Sequence, residues 1–325
     1  MKSMQLRRKL LVLIPKRWRV PLFKLKAKLF YPQLFKNWGK KFTIKEQPIL
    51  ILSLPRSGSS WLGEVLAQPQ DIRYLREPIT SVYMPSVKQG VSFFMPSECL
   101  APKLYKQAIT KAFSAKLDYV YGAIHNKARW FKPGSSKKLL IKEVNPLYLK
   151  DYLEKHNPLV IYLERDPYSI AKSFAALAWQ TDDLFSKRFD TQTINKMLLI
   201  KANLLTECFY YQMGFLQGVV KAINEPHLSN SNVLSVNYEN LVTDPRTELL
   251  KVANFINLNL NDLDIINEYA SNSLSSNKSI KEGEFSTSRG QLQLINKQQQ
   301  QITEPNYQIT KEAYNFAYNE FKKYL

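Results

Sequence analysis

One glycine, one arginine and three serines crowd into the run Pro55-Arg56-Ser57-Gly58-Ser59-Ser60-Trp61. That grouping suits one task, the holding of a multiply charged anion. Arg56 offers a planar fork of donors, and the serines offer hydroxyls. Gly58 lets the backbone take a conformation that other residues resist. The short apolar run Ile49 to Leu54 before it reads as a buried parallel strand. Trp61, Leu62, Val65 and Leu66 after it read as a helix that Ser59 or Ser60 caps. A turn of this kind aims backbone N–H groups and a helix N-terminus at one point, which makes an anion site. It is not the nucleotide triphosphatase loop. Ser53 stands where that loop needs its first glycine, and Ser59 where it needs its lysine. An ordinary strand-to-helix turn that carries an arginine is the plain alternative.

Further residues of matching chemistry lie downstream. Leu159 to Leu163 reads as a second strand, followed by Arg165, by Asp166 as a cap and by Pro167 at a first helical position. Ser173 follows Arg165 by eight residues, and Arg165 follows Arg56 by about 110. Asn232 to Val236 reads as another strand. After it come Tyr238-Glu239-Asn240-Leu241, then Asp244-Pro245 and a helix. Two carboxylates stand at strand ends. Glu77 lies in Tyr74-Leu75-Arg76-Glu77-Pro78, and Glu143 follows the buried run Leu139 to Lys142. Either could take a proton from an acceptor. Lys142 could neutralise an anion or simply pair with Glu143.

Strands alternating with helices imply an α/β protein, a P-loop-like three-layer fold with a central parallel sheet flanked by helices. Ligands on such sheets bind beyond the carboxyl ends of the strands. Residues 79–138 read as irregular and aromatic, with a helix from about Pro102 to Leu117, and residues 174–226 as largely helical. In the tail, Ala313, Tyr314, Ala317, Tyr318, Phe321 and Leu325 recur at helical spacing, as a core stripe does.

Charge divides the chain in two. Residues 1–45 hold 14 Lys/Arg and no Asp or Glu, whereas residues 46–325 hold 32 basic against 27 acidic residues. The expected organisation is a basic amphipathic leader, 1–45, ahead of a nearly neutral catalytic domain, 46–325. The leader mixes its charge with Leu, Val, Trp and Phe, which suits an anionic membrane surface. A helix pair packed on the domain is the alternative. Its longest apolar run is too short to span a bilayer. Nucleic acid is not the expected partner, since no motif for it is present. Two cysteines make no disulfide framework, and three scattered histidines suggest no metal site.

Taken together, Pro-Arg-Ser-Gly-Ser-Ser plus an aromatic, the Arg165–Ser173 pair and the Tyr238 segment resemble the sulfotransferases that use 3′-phosphoadenosine 5′-phosphosulfate (PAPS). The likeness is to bacterial and carbohydrate-type members. It implies transfer of a sulfuryl group from PAPS, as co-substrate and without a metal, to a hydroxyl of a carbohydrate or lipid-linked acceptor. It implies that Arg56, Ser57, Gly58, Ser59, Ser60 and Trp61 hold the 5′-phosphosulfate. Arg165 and Ser173 would clamp the 3′-phosphate, Tyr238 would lie near the adenine, and Arg289 in Ser288-Arg289-Gly290 would reach back to the 3′-phosphate. Glu77, in a Glu-Pro pair, would be the base, with Arg56 and Lys142 supplying positive charge. Small-molecule cytosolic members place a histidine after the lysine, but Glu143 and Val144 follow Lys142, so a histidine mechanism is not expected. Golgi-type members would show a membrane anchor first, so a cytoplasmic, bacterial enzyme is expected, with docking on the inner membrane face left open. The rivals are a nucleotide kinase or NTPase, and a basic membrane- or nucleic-acid-binding protein.

Overall fold

The structure is a computed structural model that describes residues 44, 46–83, 102–115, 123–125, 130, 138–177, 195, 208–275 and 301–323. The strands are β1 (Ile49–Ser53), β2 (Ile72–Arg76), β3 (Lys138–Glu143), β4 (Leu159–Glu164) and β5 (Val233–Asn237). They form one parallel sheet in the order β2-β3-β1-β4-β5. The inner strands are buried on both faces, which is why they read as continuous apolar runs. In β1, Leu50 and Leu52 enter one core while Ile49 and Ile51 enter the other. β1 lies between β3 and β4, where the connections turn to opposite sides of the sheet. The loop after β1 therefore opens at the topological switch point.

The helices are α1 (Ser59–Leu66), α2 (Pro78–Tyr83), α3 (Pro102–Phe113), α4 (Leu149–His156), α5 (Pro167–Ala176), α6 (Phe209–Leu228), α7 (Tyr238–Thr243), α8 (Pro245–Phe255), α9 (Leu260–Leu274) and α10 (Pro305–Lys322). Leu62 and Val65 of α1, Leu249 and Val252 of α8 and Ile266 of α9 cover one sheet face. Ile109 and Phe113 of α3 and Tyr152 of α4 cover the other. The three-layer α/β fold with a P-loop-like first unit is thus the observed one. A further core joins α5, α6 and α10, and Ala313, Ala317 and Phe321 of the tail stripe are buried in it. Here α6 and α10 approach closely. A β-carbon on Gly218 would lie 2.3 Å from the Tyr314 carbonyl oxygen, so only glycine permits the approach.

One expectation of the fold changes. The stretch read as irregular from residue 79 contains α2, whose support comes from a residue distant in sequence. The expected helical region 174–226 is helical at the end of α5 and in most of α6; between residues 177 and 208 only residue 195 is described, and residues 1–43 and Arg289 lie outside the described residues. Among the described residues no helix is long and apolar enough to cross a membrane.

Candidate active site

The loop after β1 folds back on itself because two of its residues are left-handed, Arg56 with φ 71° and Gly58 with φ 87°. Gly58 has a second reason to be glycine. A β-carbon there would lie 2.2 Å from Cε2 of Tyr238. Arg56 carries the strain of a non-glycine residue in this region, about 1–3 kcal/mol, which persists only where the surroundings hold it. They do so from far away in sequence. Arg165 donates from Nη1 to the Arg56 carbonyl at 2.6 Å, and Arg56 donates from Nε to Ser173 Oγ at 2.8 Å. The guanidinium carbon of Arg165 lies 4.5 Å from the centroid of the Tyr238 ring, a cation–π contact. So Arg56, Gly58, Arg165, Ser173 and Tyr238 form one cluster. Ser173, expected with Arg165 at the 3′-phosphate, accepts from the guanidinium of Arg56.

The serines divide their work. Neither Ser59 nor Ser60 caps α1, contrary to expectation; Gly58 occupies the N-cap and makes no side-chain cap. The buried Ser59 hydroxyl instead accepts a hydrogen bond from Ser53 Oγ at 2.8 Å, which pins the helix start to the strand end. The first-turn N–H groups of α1 are thus left for another acceptor. Ser60 is half-buried at the same helix start. Ser57 Oγ is buried with no hydrogen-bond partner among the described residues, and so is Arg165 Nε. Each such orphan costs about 1–3 kcal/mol. Trp61, expected on the nucleotide, is buried and donates from Nε1 to Ser273 Oγ at 2.8 Å, which ties α1 to α9.

A second cluster joins the ends of β2 and β3. Glu77 is left-handed, φ 52°, and its N–H donates to the Lys142 carbonyl at 2.7 Å. Lys142 Nζ pairs with Glu77 Oε1; the lysine side chain is 3% exposed and that of Glu77 27%. Burial draws the Lys142 ammonium below the ordinary lysine range, and Glu77 opposes the shift. The partner of Lys142 is therefore Glu77, not Glu143. Glu143 is fully buried. Its Oε1 accepts from the N–H of Ile79 at 2.6 Å and of Thr80 at 3.2 Å, and its Oε2 from Thr80 Oγ1 at 2.6 Å. With its oxygens so engaged, Glu143 is closed off from solvent, whereas Glu77 is partly open to it.

Burial pushes the Glu143 carboxyl up to about 7 from 4.5, against the hydrogen bond from Thr80. Glu77, Lys142, Arg76 and Tyr74 are the charged or titratable groups around it. The folded state holds this proton more tightly than the unfolded chain. The stability it contributes is complete below pH 4.5 and is lost as pH rises through about 7, a change on the order of 3 kcal/mol. Denaturant unfolding at several pH values should show that fall in the wild type, flattened in Glu143→Gln. Parallel pH profiles would show that Glu143 does not titrate in this window.

Across the carboxyl edge of the sheet the groups stand in strand order: Glu77 after β2, Lys142 near the end of β3, the Arg56 loop after β1, Arg165 after β4 and Tyr238 after β5. Sequence reasoning passed over Glu239. Its carboxylate accepts from the Asp166 N–H at 3.1 Å, and Asp166 caps α5 through the Ser169 N–H at 2.8 Å. Glu239 so links the ends of β5 and β4 behind Arg165. Burial holds its carboxyl above the usual range. The available signal was its place beside Tyr238. Among the described residues no group of His, Cys, Asp and Glu could hold a metal ion.

A model of the Sulfotransferase family matches residues 48–262, about two thirds of the chain, and spans every residue of both clusters. The chain belongs to the sulfotransferase family. As a sulfotransferase it is also similar to solved structures at low identity. Sulfotransferase STF9 from Mycobacterium avium is 12% identical, covering 83% of this chain and 82% of that one, with a TM-score of 0.44. Mouse sulfotransferase SULT7A1, solved in complex with adenosine 3′,5′-bisphosphate (PAP), is 15% identical, covering 85% and 92%, with a TM-score of 0.37. The sulfotransferase from Alicyclobacillus acidocaldarius is 14% identical, covering 66% and 83%, with a TM-score of 0.38. No curated protein matches the chain.

Proposed function

We propose that this sulfotransferase moves a sulfuryl group from PAPS to a hydroxyl of a carbohydrate or glycolipid. The observation that carries the donor assignment is the loop after β1: two buried orphan donors, Ser57 Oγ and Arg165 Nε, beside Arg56 and an uncapped helix start. In this reading Arg56, Ser57, Gly58, Ser59 and Ser60 receive the 5′-phosphosulfate, and Trp61 holds their helix in place. Arg165 and Ser173 receive the 3′-phosphate, with Arg289 reaching the same group. Tyr238, packed between Gly58 and Arg165, sits toward the adenine. The Arg56–Ser173 hydrogen bond joins the two phosphate clamps, so a nucleotide bearing both phosphates engages them together.

Glu77 takes the proton of the acceptor hydroxyl. The hydroxyl oxygen attacks sulfur, the bond from sulfur to the phosphate oxygen breaks, and PAP leaves with the electron pair. Arg56 and the α1 N-terminus meet the charge that grows on the leaving phosphate. Lys142 pairs with Glu77 and holds the base in place, and its positive charge is the one assigned to offset that of the sulfuryl oxygens. The acceptor class rests on the resemblance of the Pro-Arg-Ser-Gly-Ser-Ser and Glu-Pro patterns to carbohydrate-type members. Residues 1–45 are read as a basic leader that docks a cytoplasmic, bacterial enzyme on the anionic inner membrane face, and residues 46–325 as its catalytic domain.

Radiolabelled PAPS, offered with simple glycosides, vesicle-embedded glycolipids and arylamines, tests this reading. Label should pass to a hydroxyl acceptor without added Mg²⁺, and deletion of residues 1–40 should reduce transfer to vesicle-embedded acceptors alone. Transfer to amines only would overturn the acceptor class. Equal loss on soluble and vesicle acceptors would assign the leader to packing.

A further inference from the structure

We infer that Glu143 is a positioning residue for sulfuryl transfer: from the neighbouring strand its buried carboxyl group caps α2 and thereby holds Glu77 in the left-handed turn that sets it against Lys142. The inference rests on the reading of Glu77 as the base.

Helix α2 begins at Pro78, which has no N–H, so Ile79 and Thr80 carry its first free donors. A helix start is ordinarily served by a short polar side chain just before it. That position belongs to Glu77, whose carboxylate is already paired with Lys142 and whose backbone is left-handed. Glu143 supplies the missing acceptor from β3. One of its oxygens takes both N–H groups, and the other takes the Thr80 hydroxyl. Successive residues of a strand point to opposite faces. The end of β3 thus sends Lys142 to the Glu77 side chain and Glu143 to the backbone just beyond it. The Lys142 carbonyl accepts the Glu77 N–H as well. Glu77 is fixed before, at and after its own α-carbon, as a left-handed non-glycine residue must be. Glu143 itself is fully buried and so has no route to the acceptor.

The test combines turnover, PAP affinity and amide hydrogen exchange in the full chain. Glu143→Ala should lower turnover by about 10²-fold, the loss that a small misplacement of a reacting group can cause. PAP affinity should hold, and exchange at Ile79 and Thr80 should rise while β1 stays protected. Glu143→Gln should rescue both readouts, because its amide oxygen still accepts the two N–H groups and its NH₂ can donate to Thr80 Oγ1. Wild-type turnover and protection in Glu143→Ala would overturn the inference. So would a Glu143→Gln variant as inactive as Glu77→Gln, which would make Glu143 part of the chemistry. An active Glu77→Gln would sink the base assignment and leave the exchange result standing as a structural role alone. If Glu143→Ala does not fold, Thr80→Val decides. It should lose turnover several-fold with faster exchange at Ile79, and unchanged values would overturn the proposal.

Discussion

Glu77→Gln should reduce sulfuryl transfer by about 10²–10⁴-fold, the usual worth of a positioned general base, while PAP still binds. The substitution keeps the shape of the side chain and the left-handed turn. The amide oxygen can still accept from Lys142, so the buried lysine is not stranded. What it removes is the capacity to take a proton. Loss confined to turnover, with donor affinity intact, is therefore the signature of chemistry rather than of folding. Single-turnover kinetics with bound PAPS, alongside calorimetric titration of PAP, would read the two quantities separately. Near-wild-type turnover in Glu77→Gln would mean that another group receives the proton.

Arg56→Ala and Arg165→Ala should fail in different ways, although the two arginines touch. Arg56 presents its guanidinium from the loop between the strand end and α1, and in the proposed reaction it meets the charge that grows on the leaving phosphate. Its loss should cost about 10²–10³ in turnover, as removal of a preorganised charge stabiliser does. Arg165 binds the Arg56 carbonyl, lies over the Tyr238 ring and has a buried Nε with no hydrogen-bond partner among the described residues. A hydrogen bond to a charged group contributes about 1.5–3 kcal/mol, so Arg165→Ala should weaken PAP binding by about 10–100-fold. Titration of both variants separates these roles. Unchanged PAP affinity in Arg165→Ala would remove it from the nucleotide site.

The parts legible in the sequence are those that local chemistry decides. The apolar runs of β1, β3 and β4 could be read because both of their faces are buried. The loop after β1 could be read because its glycine, arginine and serines are contiguous. Asp166 and Pro167 announced α5 because a cap and its helix are neighbours in the chain. What escaped was set by partners far along the chain. Ser173 meets Arg56 across 117 residues, and Trp61 meets Ser273 across 212. Helix α2 was missed because its cap, Glu143, lies 63 residues beyond Thr80. The same contact separates two carboxylates that look equivalent in sequence, since only tertiary structure buries Glu143 and leaves Glu77 partly exposed. The serines after Gly58 read as helix caps because a serine before an apolar run usually is one. Here the left-handed Gly58 turned Ser59 inward to Ser53 instead.

The loop after β1 and its distant clamps should receive a nucleotide carrying both a 5′- and a 3′-phosphate. Thermal unfolding with PAP, compared with ATP–Mg²⁺ under the same conditions, tests it most directly. PAP without metal, at 100 times its dissociation constant, should add about 2.7 kcal/mol, and ATP–Mg²⁺ much less. Equal stabilisation by ATP–Mg²⁺, or a PAP effect that requires Mg²⁺, would contradict the account and favour a nucleotide kinase.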